Sequence, residues 1–322
     1  MKGKRRLVAG MILSALVAGC AGQKNADKSG SGQRLFGAVF QTMDDPFFVD
    51  LNEGIKEIVE ARGDRLVTLD SQWNSLKQEN DVADLLLQGA DAIFINPVNG
   101  EGIEGRLLQA KEKGVPCIIV DASAEDQDLA LCRVASDNVE AGRLAAQALA
   151  KVRRPAQIVI LHRSLSKACI DRVAGFKEVT DQHPDMRILD IQEGHGTRED
   201  AQFVMRDLIG RYRGLNAVFA INDPSALGAV SALESAGKLK GVAVVAVDGS
   251  SEAAAAILAG KLHSSSARFP KEMGRIAAQK AYDRFEGKPV EKDVRVRVEL
   301  VTKENAERFL GERKEDKTNA AG

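Results

Sequence analysis

The chain has 322 residues, with 45 Lys and Arg against 46 Asp and Glu and a formal net charge of −1. Both signs are interspersed along it, which argues against a nucleic-acid surface, since that needs a clustered basic patch. Its four cysteines have no Cys-x-x-Cys spacing, so neither a zinc site nor a dithiol redox motif is expected, and no cofactor is called for.

In chain order the first feature is an export signal. Lys2, Lys4, Arg5 and Arg6 form a basic start, followed over 7–17 by an apolar run too short to span a bilayer. The run ends in Val17-Ala18-Gly19-Cys20, which resembles a bacterial lipobox, in which the Cys sulfur receives a diacylglycerol and becomes the new N-terminus. The expectation is a signal peptide over 1–19, lipidation at Cys20 and attachment to the cell membrane through the lipid, because two or more acyl chains anchor stably where one does not. Residues 20–33 are polar and read as a flexible tether, and 314–322 as a disordered tail. What remains, roughly 280 residues, suffices for two domains. With Cys20 assigned to lipid, nothing in the spacing selects between a Cys117–Cys132 bridge and buried free thiols at Cys117, Cys132 and Cys169.

The central region alternates short β-rich runs with longer helical patterns. Strands are predicted at 35–40, 66–70, 92–96, 117–120, 131–135, 157–161, 188–192, 217–221, 242–247 and 262–266. Helices are predicted between them, at 47–62, 78–88, 102–113, 139–151, 200–211, 224–236 and 270–285. Most strand runs are continuously apolar, as in strands covered on both faces. The alternation predicts an α/β fold with parallel sheets and helices on both sides. The chain also repeats itself. Asp91-Ala-Ile-Phe-Ile-Asn96-Pro97 is echoed by Asn216-Ala-Val-Phe-Ala-Ile-Asn222-Asp223-Pro224, and Val115-Pro-Cys-Ile-Ile-Val-Asp121 by Val242-Ala-Val-Val-Ala-Val-Asp248. Two similar halves follow. Ligands of open α/β sheets bind beyond the carboxyl ends of the strands, so Asn96, Asp121, Asn222 and Asp248 should face one crevice.

Several motifs in order carry a resemblance. They are Gln41-Thr-Met-Asp-Asp45-Pro46-Phe47-Phe48, Leu69-Asp70-Ser71-Gln72, Asn96-Pro97, Val120-Asp121 and Ala135-Ser136-Asp137-Asn138, then Arg172-x-x-Gly175-Phe176, Phe219-Ala-Ile-Asn222-Asp223 and Val247-Asp248-Gly249. From about residue 35 to residue 301 the chain resembles the periplasmic sugar-binding proteins of the ribose-binding type. That resemblance implies two Rossmann-like lobes of the type I periplasmic binding fold, joined by a three-crossing hinge near 136–138, 268–269 and 297. The lobes would be 34–136 plus 269–296, and 137–268 plus 297–313, closing on the ligand by hinge motion.

Carried over residue by residue, Phe47 and Phe48 match an aromatic pair that stacks on a sugar ring. Asp121 and Asp248 match carboxylates that accept from hydroxyls, Arg172 matches a forked donor, and Asn222 an amide that donates and accepts. Gln41, heading the first motif, is counted with the ligand-binding set. Other positions depart from the pattern. Asp45 stands where ribose binders carry Asn, and Ala122 where they carry Arg. The aromatic expected from the second lobe falls near Gly196, with His195 beside it, and Arg268 replaces a Gln near a crossing. The scaffold is kept and the pocket rewritten, so ribose does not transfer. A neutral aldose, ketose, polyol or cyclitol fits best, and a sugar acid would need Arg172 and Arg268 to converge. Trp73 has no ligand counterpart and reads as packing.

Enzyme motifs are missing: there is no Gly-x-Ser-x-Gly, P-loop, Gly-x-Gly-x-x-Gly after a strand, or His-Glu-x-x-His. Binding rather than catalysis is therefore expected, with no metal. Sugar-responsive repressors share the two-lobe core but begin with a helix-turn-helix, whereas this chain begins with a signal and a tether. The expected role is that of a monomeric solute-binding component of an ABC-type importer, with an ABC permease and its ATPase as partners. The alternative is presentation of the loaded form to a chemoreceptor or histidine kinase.

Overall fold

The computed structural model describes residues 32–122 and 127–310. The signal segment, Cys20, most of the tether and the 314–322 tail lie outside the described residues. The first sheet contains β1 (Leu35–Phe40), β2 (Arg65–Asp70), β3 (Ala92–Ile95), β4 (Cys117–Val120), β5 (Cys132–Ser136) and the late strand β11 (Asp293–Val296). The helices α1 (Pro46–Ala61), α2 (Ser75–Leu87) and α3 (Glu104–Glu112) link its early strands, and α9 (Pro270–Phe285) precedes β11. The second sheet contains β6 (Ala156–His162), β7 (Met186–Glu193), β8 (Ala217–Ala220), β9 (Ala243–Asp248), β10 (Ser264–Ala267) and β12 (Glu299–Val301). Its helices are α4 (Asn138–Val152), α5 (Lys167–Thr180), α6 (Arg198–Arg211), α7 (Asp223–Ser235) and α8 (Ser251–Leu258).

Side-chain alternation explains the layering. On β1, Phe36, Ala38 and Phe40 join a buried cluster with Phe47, Leu51 and Ile55 of α1 and Met273 and Ala277 of α9, while Val39 joins the opposite cluster with Leu85 of α2 and Leu107 of α3. On β8, Val218 and Ala220 pack with α6 and α7, and Ala217 and Phe219 with α4 and α5. Each central strand is thus buried on both faces, as the apolar runs required.

Strand order is β11-β5-β4-β3-β1-β2 in the first sheet and β12-β10-β9-β8-β6-β7 in the second. All pairings are parallel except β10 with β12, which is antiparallel. In both sheets the order reverses at the first strand, β1 or β6, which creates a switch point beyond its carboxyl end. The chain passes between the sheets three times: after β5, between β10 and α9, and between β11 and β12. All three passages lie along one edge of each sheet. A repeat also shows in the helix pairs. In α1 and α9, Gly54 and Gly274 leave no room for a Cβ against the partner backbone; in α4 and α5, Gly142 and Gly175 do the same.

Cys117, Cys132 and Cys169 are free and buried. Burial pushes the Cys117 and Cys132 thiols up to about 12. Among the described residues no helix is long and apolar enough to cross a membrane.

Candidate ligand-binding cleft

Two of the polar residues that end the apolar strands are held in unusual backbone. Asp121, just after β4, has φ 56, and Asp248, ending β9, has φ 134 with Gly249 at φ 69 behind it. This is the region that L residues rarely adopt. A Cβ at Gly249 would overlap Ala267 on β10, so only glycine lets the turn close.

A buried polar net fixes that turn. The Gly249 N–H donates to Ser265 Oγ (3.0 Å), whose hydroxyl donates to Asp223 Oδ1 (2.6 Å). The Ser250 N–H donates to Asp223 Oδ2 (2.6 Å), and the Asp223 N–H donates to Asp248 Oδ2 (3.2 Å). Asp223 is 1% exposed. Burial, with the Asp248 charge adding to it, pushes the Asp223 carboxyl up to about 7.

Arg268 follows β10 at a passage between the sheets and is 7% exposed. Its Nε donates to Asp248 Oδ1 (2.9 Å), its Nη2 lies 2.7 Å from the same oxygen, and its Nη1 donates to Asp121 Oδ1 (2.7 Å). The guanidinium also lies 3.7 Å from the centroid of the Phe47 ring, a cation–π arrangement. Burial alone would lower its pKa, but the two carboxylates outweigh burial and hold it above the ordinary arginine range.

Arg172, on α5, is 3% exposed. Its Nε donates to Asn138 Oδ1 (2.9 Å) and its Nη1 to the Ile221 carbonyl (2.7 Å), 3.7 Å from Asp248 Oδ1. Burial, and then the neighbouring Arg268, pull its pKa down.

The other predicted residues fall on a gradient away from this centre. Asp45 caps α1, its Oδ1 accepting from the Phe47 N–H (2.9 Å). Burial, and then the Asp248 charge, raise its pKa, so it lies within electrostatic reach of the cluster. Phe48 sits edge-on to Phe47 (5.3 Å) and beside Phe40 (6.0 Å), within the core. Asn222 caps α7 through Ser225 N–H (3.1 Å) and donates to the Gly196 carbonyl (2.8 Å). Gln41 offers its carbonyl to the Trp73 N–H (2.6 Å). The His195 side chain is 66% exposed, its Nδ1 3.6 Å from Glu193 Oε1. Asn96 is buried and its Nδ2 donates to the Val120 carbonyl (2.9 Å), which ties the ends of β3 and β4 together.

The fold thus brings together Phe47, Asp121, Arg172, Asp248 and Arg268, with Asp45 nearby, and leaves His195 and Gln41 outside this hydrogen-bonded group. Sequence reasoning missed Asp223, Ser265 and Asn138. One signal was available: Ser264-Ser265-Ser266 in a fully buried strand position calls for a polar partner. The assembled groups alternate donors and acceptors beside an aromatic ring, a chemistry that suits hydroxyl-rich molecules.

Two doubly wound α/β lobes, joined by three passages and carrying polar groups at facing strand ends, define a two-lobed solute-binding protein. The chain belongs to the periplasmic binding protein domain family, whose model matches residues 36–289. It is 35% identical over 282 residues to the ribose import binding protein RbsB of Bacillus subtilis, across 86% of this chain and 91% of that protein. Among solved structures it is similar to the periplasmic binding protein component of the arabinose ABC transporter from Shewanella sp. ANA-3, bound to α- and β-L-arabinofuranose. That similarity has a TM-score of 0.83 at 30% identity and covers 88% of this chain and 97% of the other. It is also similar to an ABC transporter solute binding protein from Bacillus halodurans C-125 with bound myo-inositol, with a TM-score of 0.82, 26% identity and coverage of 88% and 99%.

Proposed function

We propose that this protein is the solute-binding component of an ABC-type importer, holding a small sugar or polyol between its lobes and delivering it to a permease and its ATPase. The observation that carries the reading is the meeting of Asp121 from one sheet, Asp248 from the other and Arg268 from a passage between them. We take the lobes as 34–136 plus 269–296 and 137–268 plus 297–313, with the predicted ligand set in the cleft between them, and the protein as a monomer.

Charge narrows the ligand. Arg172 and Arg268 do converge, but on Asp248 Oδ1, a carboxylate oxygen that the protein itself supplies. That removes the electrostatic reason for an acidic ligand and favours a neutral polyhydroxyl compound. A thermal-shift screen of the purified chain against D-ribose, L-arabinose, xylitol, myo-inositol and D-gluconate tests this. A ligand at a hundred times its dissociation constant stabilises by about 2.7 kcal/mol. Stabilisation by one of the first four supports the reading, and stabilisation by gluconate alone overturns the neutral class.

The Val-Ala-Gly-Cys ending supports attachment of the exported protein to the membrane by a lipid on Cys20. Cys20→Ser should release the protein from membranes or leave it unprocessed. Mass spectrometry that finds a lipid-free mature N-terminus elsewhere rules the anchor out.

A further inference from the structure

Arg163 follows β6 and Trp73 follows β2, in different sheets, yet the Arg163 guanidinium lies over the Trp73 ring, 4.3 Å from its centroid. In strand order β2 is the outer strand of the first sheet and β6 the strand next to the outer edge of the second. The three passages between the sheets run along the opposite edges. The contact therefore spans the cleft at the rim where rotation about the passages separates the lobes most.

Both partners are specially held. Gln72 (φ 52) and Trp73 (φ 60) are successive left-handed residues without being glycine, in a turn tied by the Gln72 N–H to Asp70 Oδ1 (2.9 Å) and the Trp73 N–H to the Gln41 carbonyl (2.6 Å). The turn keeps the indole at the rim, 45% exposed, instead of in the core. Across the cleft, a Cβ at Gly196 would lie 3.4 Å from Arg163 Cδ and 3.4 Å from Asn222 Nδ2. The bare backbone at Gly196 thus gives the Arg163 stem its track and links it to the loop that receives Asn222.

We propose that Trp73 and Arg163 form an interlobe clasp that sets ligand affinity by stabilising the closed lobes rather than by touching the ligand. The consequence for affinity rests on the solute-binding reading, whereas the clasp can be tested without ligand. Apparent affinity scales with the population of the binding-competent form. A cation–π contact at a partly exposed site corresponds to a change of about two- to five-fold in that population.

Trp73 is the only tryptophan, so intrinsic fluorescence reports from the clasp itself. Wild type, Arg163→Gln and Arg163→Lys would be freed of ligand by denaturation, dialysis and refolding, then compared by acrylamide quenching and small-angle scattering. Arg163→Gln should expose Trp73 to quencher and enlarge the radius of gyration, with Arg163→Lys intermediate because it keeps the cation. Unchanged scattering in Arg163→Gln overturns the clasp, whatever the quenching does. In a D-ribose titration, weakening of about two- to five-fold in Arg163→Gln supports the affinity role, and unaltered affinity overturns it. A wild type that ignores D-ribose bears only on which sugar or polyol is bound, the titration then being run with whichever compound of the thermal-shift screen stabilises it, and scattering still decides the clasp.

Discussion

Asp248 Oδ1 receives the Nε and Nη2 of Arg268 and lies 3.7 Å from Arg172, while Oδ2 takes the Asp223 N–H. Removing one partner from a buried, charged set of this kind costs about 2–5 kcal/mol, or roughly thirty-fold to several-thousand-fold in affinity. Asp248→Ala and Arg172→Ala should weaken ligand binding by that range in titration calorimetry, whereas exposed His195→Ala should stay within a few-fold of wild type. Arg172→Ala should also lower stability in urea by about 1–3 kcal/mol, because the buried Ile221 carbonyl loses its donor. Asp223 gives a pH test. Its folded pKa of about 7 lies above the usual carboxylate value of 3.8. Between those limits the native state holds a proton that the unfolded chain does not, so this contribution to stability is complete at low pH and lost as pH rises through about 7. Asp223→Asn removes that loss. Its stability relative to wild type should climb between pH 5 and pH 7.5 by at most about 1.4 kcal/mol per unit, and a flat difference in urea unfolding at the two pH values refutes it. Asp121 and Asp248 were legible because each is a charge ending an apolar run. Asp223 was not, because beside Asn222 and Pro224 it reads as an ordinary helix start.

At the scale of elements, the close helix pairs position the site. A Cβ at Gly142 on α4 would overlap the carbonyl of Arg172 itself, and one at Gly175 on α5 the carbonyl of Val139. Gly142→Ala should therefore push α5 away, at a cost of about 1–3 kcal/mol from overpacking, and weaken ligand binding as well. Gly210→Ala, at an exposed position of α6 with open space around it, is the control and should gain about 0.5–1 kcal/mol. Denaturant curves and calorimetry on both variants check the pair. Most of the long helices and apolar strands could be read from period alone, although α5 was not among the helices predicted. Helix α8 escaped because its run of alanines offers no polar face to set a period. Strands β11 and β12 escaped because they are short and charged. They become strands only by pairing with partners remote in sequence, with Arg133 Nε meeting Asp293 (2.7 Å) to hold the first of them.

At the scale of the molecule, the internal echo between the halves made the doubled architecture legible, since matched strand-end motifs at matched spacing predict matched sheets. The rim contact between Trp73 and Arg163 was not legible, because no local pattern links two loops in different sheets. One feature of the topology also governs how the molecule is made. Both sheets receive their last strand from residues 293–301, one at β11 and the other at β12. A polypeptide that emerges from its amino end therefore carries two unfinished sheets until nearly all of it is out. Until then β5 and β10 present unpaired edges, and open edges are where chains aggregate or are cut. Chains ending at residue 292 should be degraded or aggregate, while chains ending at residue 310 should resist limited proteolysis as the full protein does. The closing segment thus acts as a late checkpoint: a broken or stalled copy stays recognisable as incomplete however much of it has already been synthesised.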